Sequence, residues 1–458
     1  MKLAKIFSNG VVLQRNKPIN IFGTGSGNVT VTLENDTVSG DFYGQEWVVT
    51  LPARKEGGPY TLSVCMNGET TVIDDVWVGE VWLASGQSNM SYKMWEIFRY
   101  NGGNLPPNMR DIPNLKYFEV TVDNKLQYDE KASKWYDCNK ANIARWFSAL
   151  PYYFALNLAE HTDMHVGIIN ASRGATRIEW WIPREKLLGT KYDIPSEIKF
   201  EDDVLYHCPR GSLFEGYIKP IVPFSTDGFI WYQGESNRGN RETEFYGDNF
   251  GFLTKCWREA FNDESLPFLT VQITKYGEAS TGDWVKDIMN APDDSRANCW
   301  ARIREQQLMA SKKFENVYLI TSLDNGERGQ IHPFDKQTVG DRLAFCARNI
   351  AFGENNEYTG PIYSDMRVEQ NKLVISFTHS DGLYIDGELD WIAVCGRDNI
   401  YYPAEYEIIN DELYVWNNSI KNPKNVKYAF SNWANGGLYN KSGFPASPFR
   451  TEKKCKYR

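Results

Sequence analysis

An α/β core flanked at both ends by all-β segments is the fold class this sequence predicts, and three observations predict it. Short β-branched runs broken by glycine-rich turns fill the first 76 or so residues. Strand-like and helix-like stretches then alternate to about residue 355. Beyond that point alternating apolar and polar residues restore a β pattern.

In residues 1–76 the runs Val11–Leu13, Ile19–Phe22, Val29–Leu33, Trp47–Leu51 and Tyr60–Val64 have the composition of half-buried strands. Turn chemistry separates them at Gly23–Gly27, Glu34-Asn35-Asp36, Lys55–Pro59 and Asn67-Gly68. Short strands at this spacing predict a small sandwich. The run Gly23-Thr24-Gly25-Ser26-Gly27 lies between two strands with no helix after it, so it is not a dinucleotide fingerprint.

In residues 77–355 the expected strands are Val76–Ala84, Met164–Ile169, Gly228–Tyr232, Pro267–Gln272 and Val317–Ser322. The expected helices are Ala141–His161, Glu244–Phe261, Trp300–Lys313 and Lys336–Ala351. Such alternation implies a mostly parallel sheet with helices on both faces. The polar stretches 184–212 and Glu278–Asp294 read as long surface loops. In residues 356–458, Leu373–Phe377, Trp391–Val394 and Glu412–Trp416 alternate cleanly, with turns at Asp381-Gly382, Asp386-Gly387 and Asn410-Asp411. The predicted division is therefore 1–76, 77–355 and 356–458.

Composition narrows the function. The 458 residues are 42% hydrophobic and 24% charged, ordinary for a globular protein. A net charge of −9 and the lack of a dense Lys/Arg run argue against a nucleic-acid surface. No stretch approaches 18 apolar residues, so no membrane-crossing helix is expected. The first eight residues lack a signal-peptide core, which points to the cytoplasm or to a leader already trimmed away. Eight cysteines lie scattered without a Cys-x-x-Cys pair, the pattern of reduced thiols rather than a zinc site or a disulfide framework. With 15 Trp and 26 Tyr, aromatic residues reach 14%, which suits either sugar stacking or β-rich cores.

The chemistry gathers where predicted strands end. The apolar run into Ala84 stops at Ser85-Gly86-Gln87-Ser88-Asn89-Met90, which delivers the Ser88 hydroxyl to the sheet edge where ligands of open α/β sheets bind. Met90 stands where the Gly-x-Ser-x-Gly elbow needs its last glycine, so that elbow is not matched. Three more polar segments follow strands: Asn170–Thr176, Gln233–Asn237 and Asp324–Pro333. A serine nucleophile needs a base, and histidine suits neutral pH. Of the five histidines, only His332 follows a core strand in a loop rich in Gly and Asp. The oxyanion needs preorganised donors. The N–H groups of Ser88 and Gly174 and the Asn237 amide are the candidates.

The segments Ser85–Met90, Trp231–Asn237 and Ile331-His332-Pro333, in that order, resemble the sialate O-acetylesterase family of SGNH (GDSL-like) hydrolases. Val12–Arg15, Gly57–Tyr60, Ala301–Gln306 and Pro448–Thr451 extend the resemblance along essentially the whole chain. It implies a flavodoxin-like α/β/α core, a nucleophile at Ser88, a base at His332, oxyanion donors at Ser88, Gly174 and Asn237, and no metal or organic cofactor. The implied substrate is an acetylated carbohydrate, O-acetylated sialic acid first and acetylated xylan or another polysaccharide second. A glycan-binding protein on an esterase scaffold is the alternative from another class.

The sequence departs from the family at two places. Gln330 stands where the resemblance implies an aspartate two residues before the histidine. An amide can orient an imidazole but cannot supply the charge. Asp324 or Glu327 substitutes, or a backbone carbonyl orients His332 in a Ser–His dyad, or activity is weak or lost. The second departure is Ala175-Thr176-Arg177. Arg177 could grip a substrate carboxylate in a bidentate fork, or pair with Glu179. Gln87 and Gln330 are candidate substrate contacts as well, although Gln87, like Asn89, also reads as a brace for the nucleophile loop. Glu235 reads as a hydrogen-bonding support for the Asn237 turn.

Overall fold

The computed structural model describes residues 1–452 except 101, 105, 107–108, 194–208, 278–283, 286–288, 293–297 and 390. The first eight strands are β1 (Lys2–Leu3), β2 (Val12–Gln14), β3 (Ile19–Thr24), β4 (Gly27–Leu33), β5 (Asp36–Phe42), β6 (Glu46–Leu51), β7 (Gly57–Met66) and β8 (Glu69–Gly86). Strands β1, β3 and β6 form one small sheet, and β4 pairs with β5 and β7, which passes the ladder to β8. Their inward residues Ile19, Ile21, Val29, Val31 and Val49 are buried in one core with the central part of the chain. β5 was not expected, because its Thr, Ser, Gly and Asp residues alternate without apolar weight.

β8 is the axis of the molecule. Its first half pairs antiparallel with β7, and its second half becomes a fully buried strand of the central sheet. One strand therefore runs unbroken past residues 76 and 77. The central elements continue with β9 (Ile112–Glu119), β10 (Lys134–Cys138), β11 (Val166–Ser172), β12 (Gly228–Tyr232), β13 (Phe268–Val271) and β14 (Val317–Ile320). The order is β10-β9-β11-β8-β12-β13-β14, parallel from β9 to β14, with β10 antiparallel at the edge. The fold is thus mixed α/β, with a large mixed sheet and further β structure at both ends. β9 and β10 escaped the sequence reading. Charged residues interrupt them, although Lys116 hides its charge between Asp75 and Asp137.

The helices are α1 (Ser88–Ser91), α2 (Met94–Tyr100), α3 (Lys140–Trp146), α4 (Ala149–Glu160), α5 (Arg184–Leu187), α6 (Asn240–Phe261), α7 (Cys299–Lys313) and α8 (Gln337–Phe352). The single helix expected over 141–161 is two. The chain breaks at Phe147-Ser148, where Ser148 Oγ donates to Ser91 O at 3.2 Å and Ala149 N donates to Tyr92 O at 2.7 Å. That break ties α4 to the segment after the candidate nucleophile. The expected loop 184–212 opens with α5, while 194–208 lies outside the described residues, as does most of the 278–294 loop.

Among the described residues from Ile362 onward the strands are short and antiparallel, in two four-stranded sheets and one two-stranded pair. Their core is a second cluster, built on Leu373, Ile375, Val394, Leu413, Val415 and Tyr428. Arg304 of α7 reaches this region, with Nη2 donating to Ser431 O. Among the described residues, no helix is long and apolar enough to cross a membrane.

Candidate active site

Strand register builds the site. Gly86 of β8 lies opposite Ser172 of β11 and Tyr232 of β12, so three chain segments leave the sheet at one level. Val271 of β13 and Ile320 of β14 end beside each other on the same edge. Parallel strands make this convergence obligatory, because all their carboxyl ends face one way. Gly86 itself admits no side chain. Its φ is +133°, and a Cβ would sit 2.2 Å from Tyr232 O. The chain can therefore turn tightly against β12 and start α1 with Ser88, which is half-buried.

Two neighbours of Ser88 come from distant sequence. A Cβ on Gly174 would lie 3.5 Å from Ser88 Cβ, so these residues are in contact. Gly174 keeps a negative φ, so its glycine frees space over Ser88 rather than answering a backbone requirement. Among the described residues, neither the Ser88 N–H nor the Gly174 N–H donates a hydrogen bond. Both are the unspent donors an oxyanion requires. The second neighbour is the histidine loop. Asn89 Nδ2 donates to Ile331 O at 3.1 Å, which fixes the residue after Ser88 to the residue before His332.

A buried polar network extends from Asn89. Its Nδ2 also donates to Glu235 Oε1 at 2.7 Å, and its Oδ1 accepts from Lys336 Nζ at 2.7 Å. Asn89 is thus the hub that joins the β8, β12 and β14 loops to the start of α8, and the Glu235 side chain accepts from this hub in the nucleophile loop rather than from within the Asn237 turn. Burial raises the Glu235 carboxyl, against the pull of the Asn89 hydrogen bond. Burial brings the Lys336 ammonium down to about 7, opposed chiefly by Glu235. The sequence reading missed Lys336 and Tyr92. The signal for Lys336 was a lysine at the N-terminal end of a helix, where the helix dipole disfavours a cation.

His332 rests against Tyr92, with ring centroids 5.4 Å apart. Burial first, and the Lys336 charge second, lower its pKa to about 4. Among the described residues, no hydrogen bond reaches the imidazole, from a carboxylate or from a backbone carbonyl. Asp324 does not substitute for the absent aspartate. Both its oxygens are held by Arg342, at 2.9 and 2.7 Å. Glu327 makes no ion pair with His332 among the described residues, and its Oε1 accepts from Phe334 N at 2.7 Å. Gln330 turns inward on its own loop, with Oε1 accepting from His332 N at 3.1 Å. The imidazole is positioned by packing and by its loop, and catalytic hydrogen bonds in unliganded sites often form only with substrate.

Of the two readings of Arg177, the pairing with Glu179 holds and the substrate fork does not, while the role expected of Asn237 needs correction. Arg177 is buried, with Nη2 donating to Glu242 Oε1 at 2.6 Å and Nε 3.6 Å from Glu179 Oε2. Its guanidinium is enclosed by carboxylates and does not present a fork to a substrate. Asn237 is fully buried, and its Nδ2 faces both oxygens of Glu179 at 3.1 Å. Its Oδ1 accepts from Ile178 N and Gln233 Nε2. The amide cross-braces the β11 and β12 loops instead of standing free as an oxyanion donor. Gln87 is a brace as expected, with Oε1 accepting from Gln233 Nε2, Gly234 N and Ser236 N.

A strand-end serine beside a glycine with a free N–H, coupled through Asn89 to a histidine loop on the same edge of a mixed α/β sheet, is an arrangement that suits a carboxylic ester hydrolase of the SGNH type. The comparisons specify it further. The sequence profile of the family described as carbohydrate esterase, sialic acid-specific acetylesterase matches residues 78–345. The chain belongs to that family. Sialate O-acetylesterase of Pongo abelii is 27% identical over 98% of this chain and 92% of its own length, and that of Homo sapiens is 26% identical over the same shares. The crystal structure of a carbohydrate acetylesterase from Xanthomonas citri is 28% identical, covers 99% of this chain and 100% of its own, and superposes with a TM-score of 0.81. Family membership sets aside the purely glycan-binding alternative.

Proposed function

We propose that this carbohydrate O-acetylesterase removes acetyl groups from O-acetylated sialic acid, with Ser88 as nucleophile and His332 as general base. Ser88 Oγ attacks the acetyl carbonyl while His332 takes its proton. The tetrahedral oxyanion is met by the N–H groups of Ser88 and Gly174. His332 returns the proton to the leaving sugar oxygen, and water activated by the same imidazole clears the acetyl-enzyme. The catalytic unit is the flavodoxin-like α/β/α part at about 77–355, with β segments at 1–76 and 356–458 to either side, the first of them joined to it through β8.

The observation that carries this reading is the contact of Ser88 with Gly174, together with the Asn89 hydrogen bond to Ile331 O. The choice of sialic acid is supported by the similarity to the sialate O-acetylesterases of Pongo abelii and Homo sapiens. One observation favours a neutral acetylated polysaccharide as the second reading. Arg177, one candidate grip for a sugar carboxylate, is consumed by Glu242 and Glu179. Acetate release from a panel of acetylated sialic acids and acetylated xylo-oligosaccharides decides between them. Ser88→Ala is expected to lose at least about 10³-fold in kcat on the true substrate. Retained turnover in that variant would remove Ser88 from the mechanism.

A further inference from the structure

The nucleophile loop carries one amide donor that the reaction described above leaves unused. Gln87 immediately precedes Ser88 and is 2% exposed. Its Oε1 takes three donors, Gln233 Nε2 at 3.1 Å, Gly234 N at 3.4 Å and Ser236 N at 3.2 Å. Three donors on one atom fix the orientation of the amide, since exchanging O and N would set donor against donor. The NH₂ group must then face away from the β12 loop. Among the described residues it donates to no acceptor, and it is not among the atoms sealed from solvent. An amide NH₂ on a nearly buried side chain is costly to leave unmade unless water or a ligand completes it.

The other amides of the same two loops are spent. Asn89 Nδ2 serves Glu235 and Ile331 O, Gln233 Nε2 serves Gln87, Thr176 O and Asn237, and Asn237 Nδ2 serves Glu179. We propose that Gln87 Nε2–H donates to the acyl oxygen of the bound ester and completes the oxyanion site in the role expected of Asn237. The proposal rests on Ser88 being the nucleophile. As Ser88 Oγ bonds to the acyl carbon, the carbonyl π pair moves onto oxygen, and the Gln87 N–H meets that charge without giving up its proton. The pair returns when the C–O bond to the sugar breaks and the alcohol leaves with the proton held by His332. Because the three donors on Oε1 hold the amide still, no reorganisation is needed as the charge develops, which is what makes such donors effective.

The test uses the full chain, p-nitrophenyl acetate and a neutral phosphonofluoridate. Gln87→Glu keeps the acceptor for Gly234 N and Ser236 N and loses the donor. Its kcat is expected to fall about 10²- to 10³-fold with KM little changed, the size seen when one oxyanion donor is removed. Relative to the wild type it should recover as pH is lowered, because a protonated carboxyl donates again. A mere brace would show the reverse trend, since the carboxylate is the better acceptor. Gln87→Met, without donor or acid, should lose as much and show no recovery. A crystal structure of the wild type phosphonylated at Ser88 needs no variant to fold. It is expected to show the phosphoryl oxygen about 3 Å from Gln87 Nε2. A phosphoryl oxygen turned away from Gln87, or a folded Gln87→Glu with wild-type kcat, overturns the Gln87 proposal alone. A wild type that is neither labelled at Ser88 nor active overturns the esterase mechanism and this proposal with it.

Discussion

Replacing Gln330 by aspartate should convert a weak base into a strong one. In the wild type the imidazole of His332 has no carboxylate partner, and burial with the nearby Lys336 charge holds it down at about 4. A base works only when neutral, so kcat/KM should fall on the acid side through about pH 4. At pH 5 a histidine of pKa about 4 is about nine-tenths neutral, whereas an ordinary one near 6.5 is about 3% neutral. The wild-type profile is therefore expected to stay flat from pH 8 down to pH 5. A carboxylate beside an imidazole raises its pKa by about 1 to 3 units, which would move the acid limb of Gln330→Asp to between about 5 and 7. If the rate follows about half of that gain in base strength, the plateau kcat rises about 3- to 30-fold. Gln330→Ala is the control. It removes the cap on His332 N without adding charge, so its limb should remain where the wild type has it. The assay is hydrolysis of p-nitrophenyl acetate between pH 3.5 and 9, with circular dichroism to confirm folding. A folded Gln330→Asp whose limb and plateau match the wild type would refute the reasoning, as would a wild-type limb already near 6.5.

Three further outcomes are expected. Lys336→Met removes the cation that lowers His332, so the acid limb should rise. It also strands Asn89 Oδ1, at a cost of about 1–3 kcal/mol in denaturant unfolding; an unmoved limb would separate Lys336 from the base. Asp324→Ala leaves the buried Arg342 guanidinium unpaired and should cost about 3–5 kcal/mol of stability while the acid limb stays put. A shifted limb with unchanged stability would return Asp324 to the side of His332. Arg177→Ala uncouples two buried carboxylates and should cost about 3–5 kcal/mol, with KM for acetylated sialic acid and for a neutral acetyl sugar changing together. A KM rise confined to the anionic sugar would restore the carboxylate-clamp idea.

Elements with a clean period were legible in the sequence. Gly228–Tyr232 and Glu412–Trp416 have the expected bounds, and α6, α7 and α8 lie within a few residues of expectation. β9 and β10 were not, because Lys116 is neutralised by Asp75 and Asp137 from other elements and so behaves as a core residue only after folding. The split of α3 from α4 was signalled faintly by Ser148 and by Pro151 in the first turn of α4, but its cause is the tertiary contact with Ser91 and Tyr92.

The amino-acid sequence by itself determined that Ser88, Gly174 and His332 would gather, because each follows a strand and parallel strands deliver their ends to one edge. It also determined the family, through motifs carried in order along the chain. Only the tertiary structure decided what each polar side chain does there. Arg177 and Asn237 carry the right chemistry for a clamp and an oxyanion donor, yet buried carboxylates at Glu179 and Glu242 claim them. Asp324 is claimed by Arg342, and Gln87 keeps its NH₂ free because three donors converge on its oxygen. A buried charge or amide takes the partner that packing brings within hydrogen-bond reach, since leaving it unpaired is too costly, and that partner lies tens to hundreds of residues away in sequence.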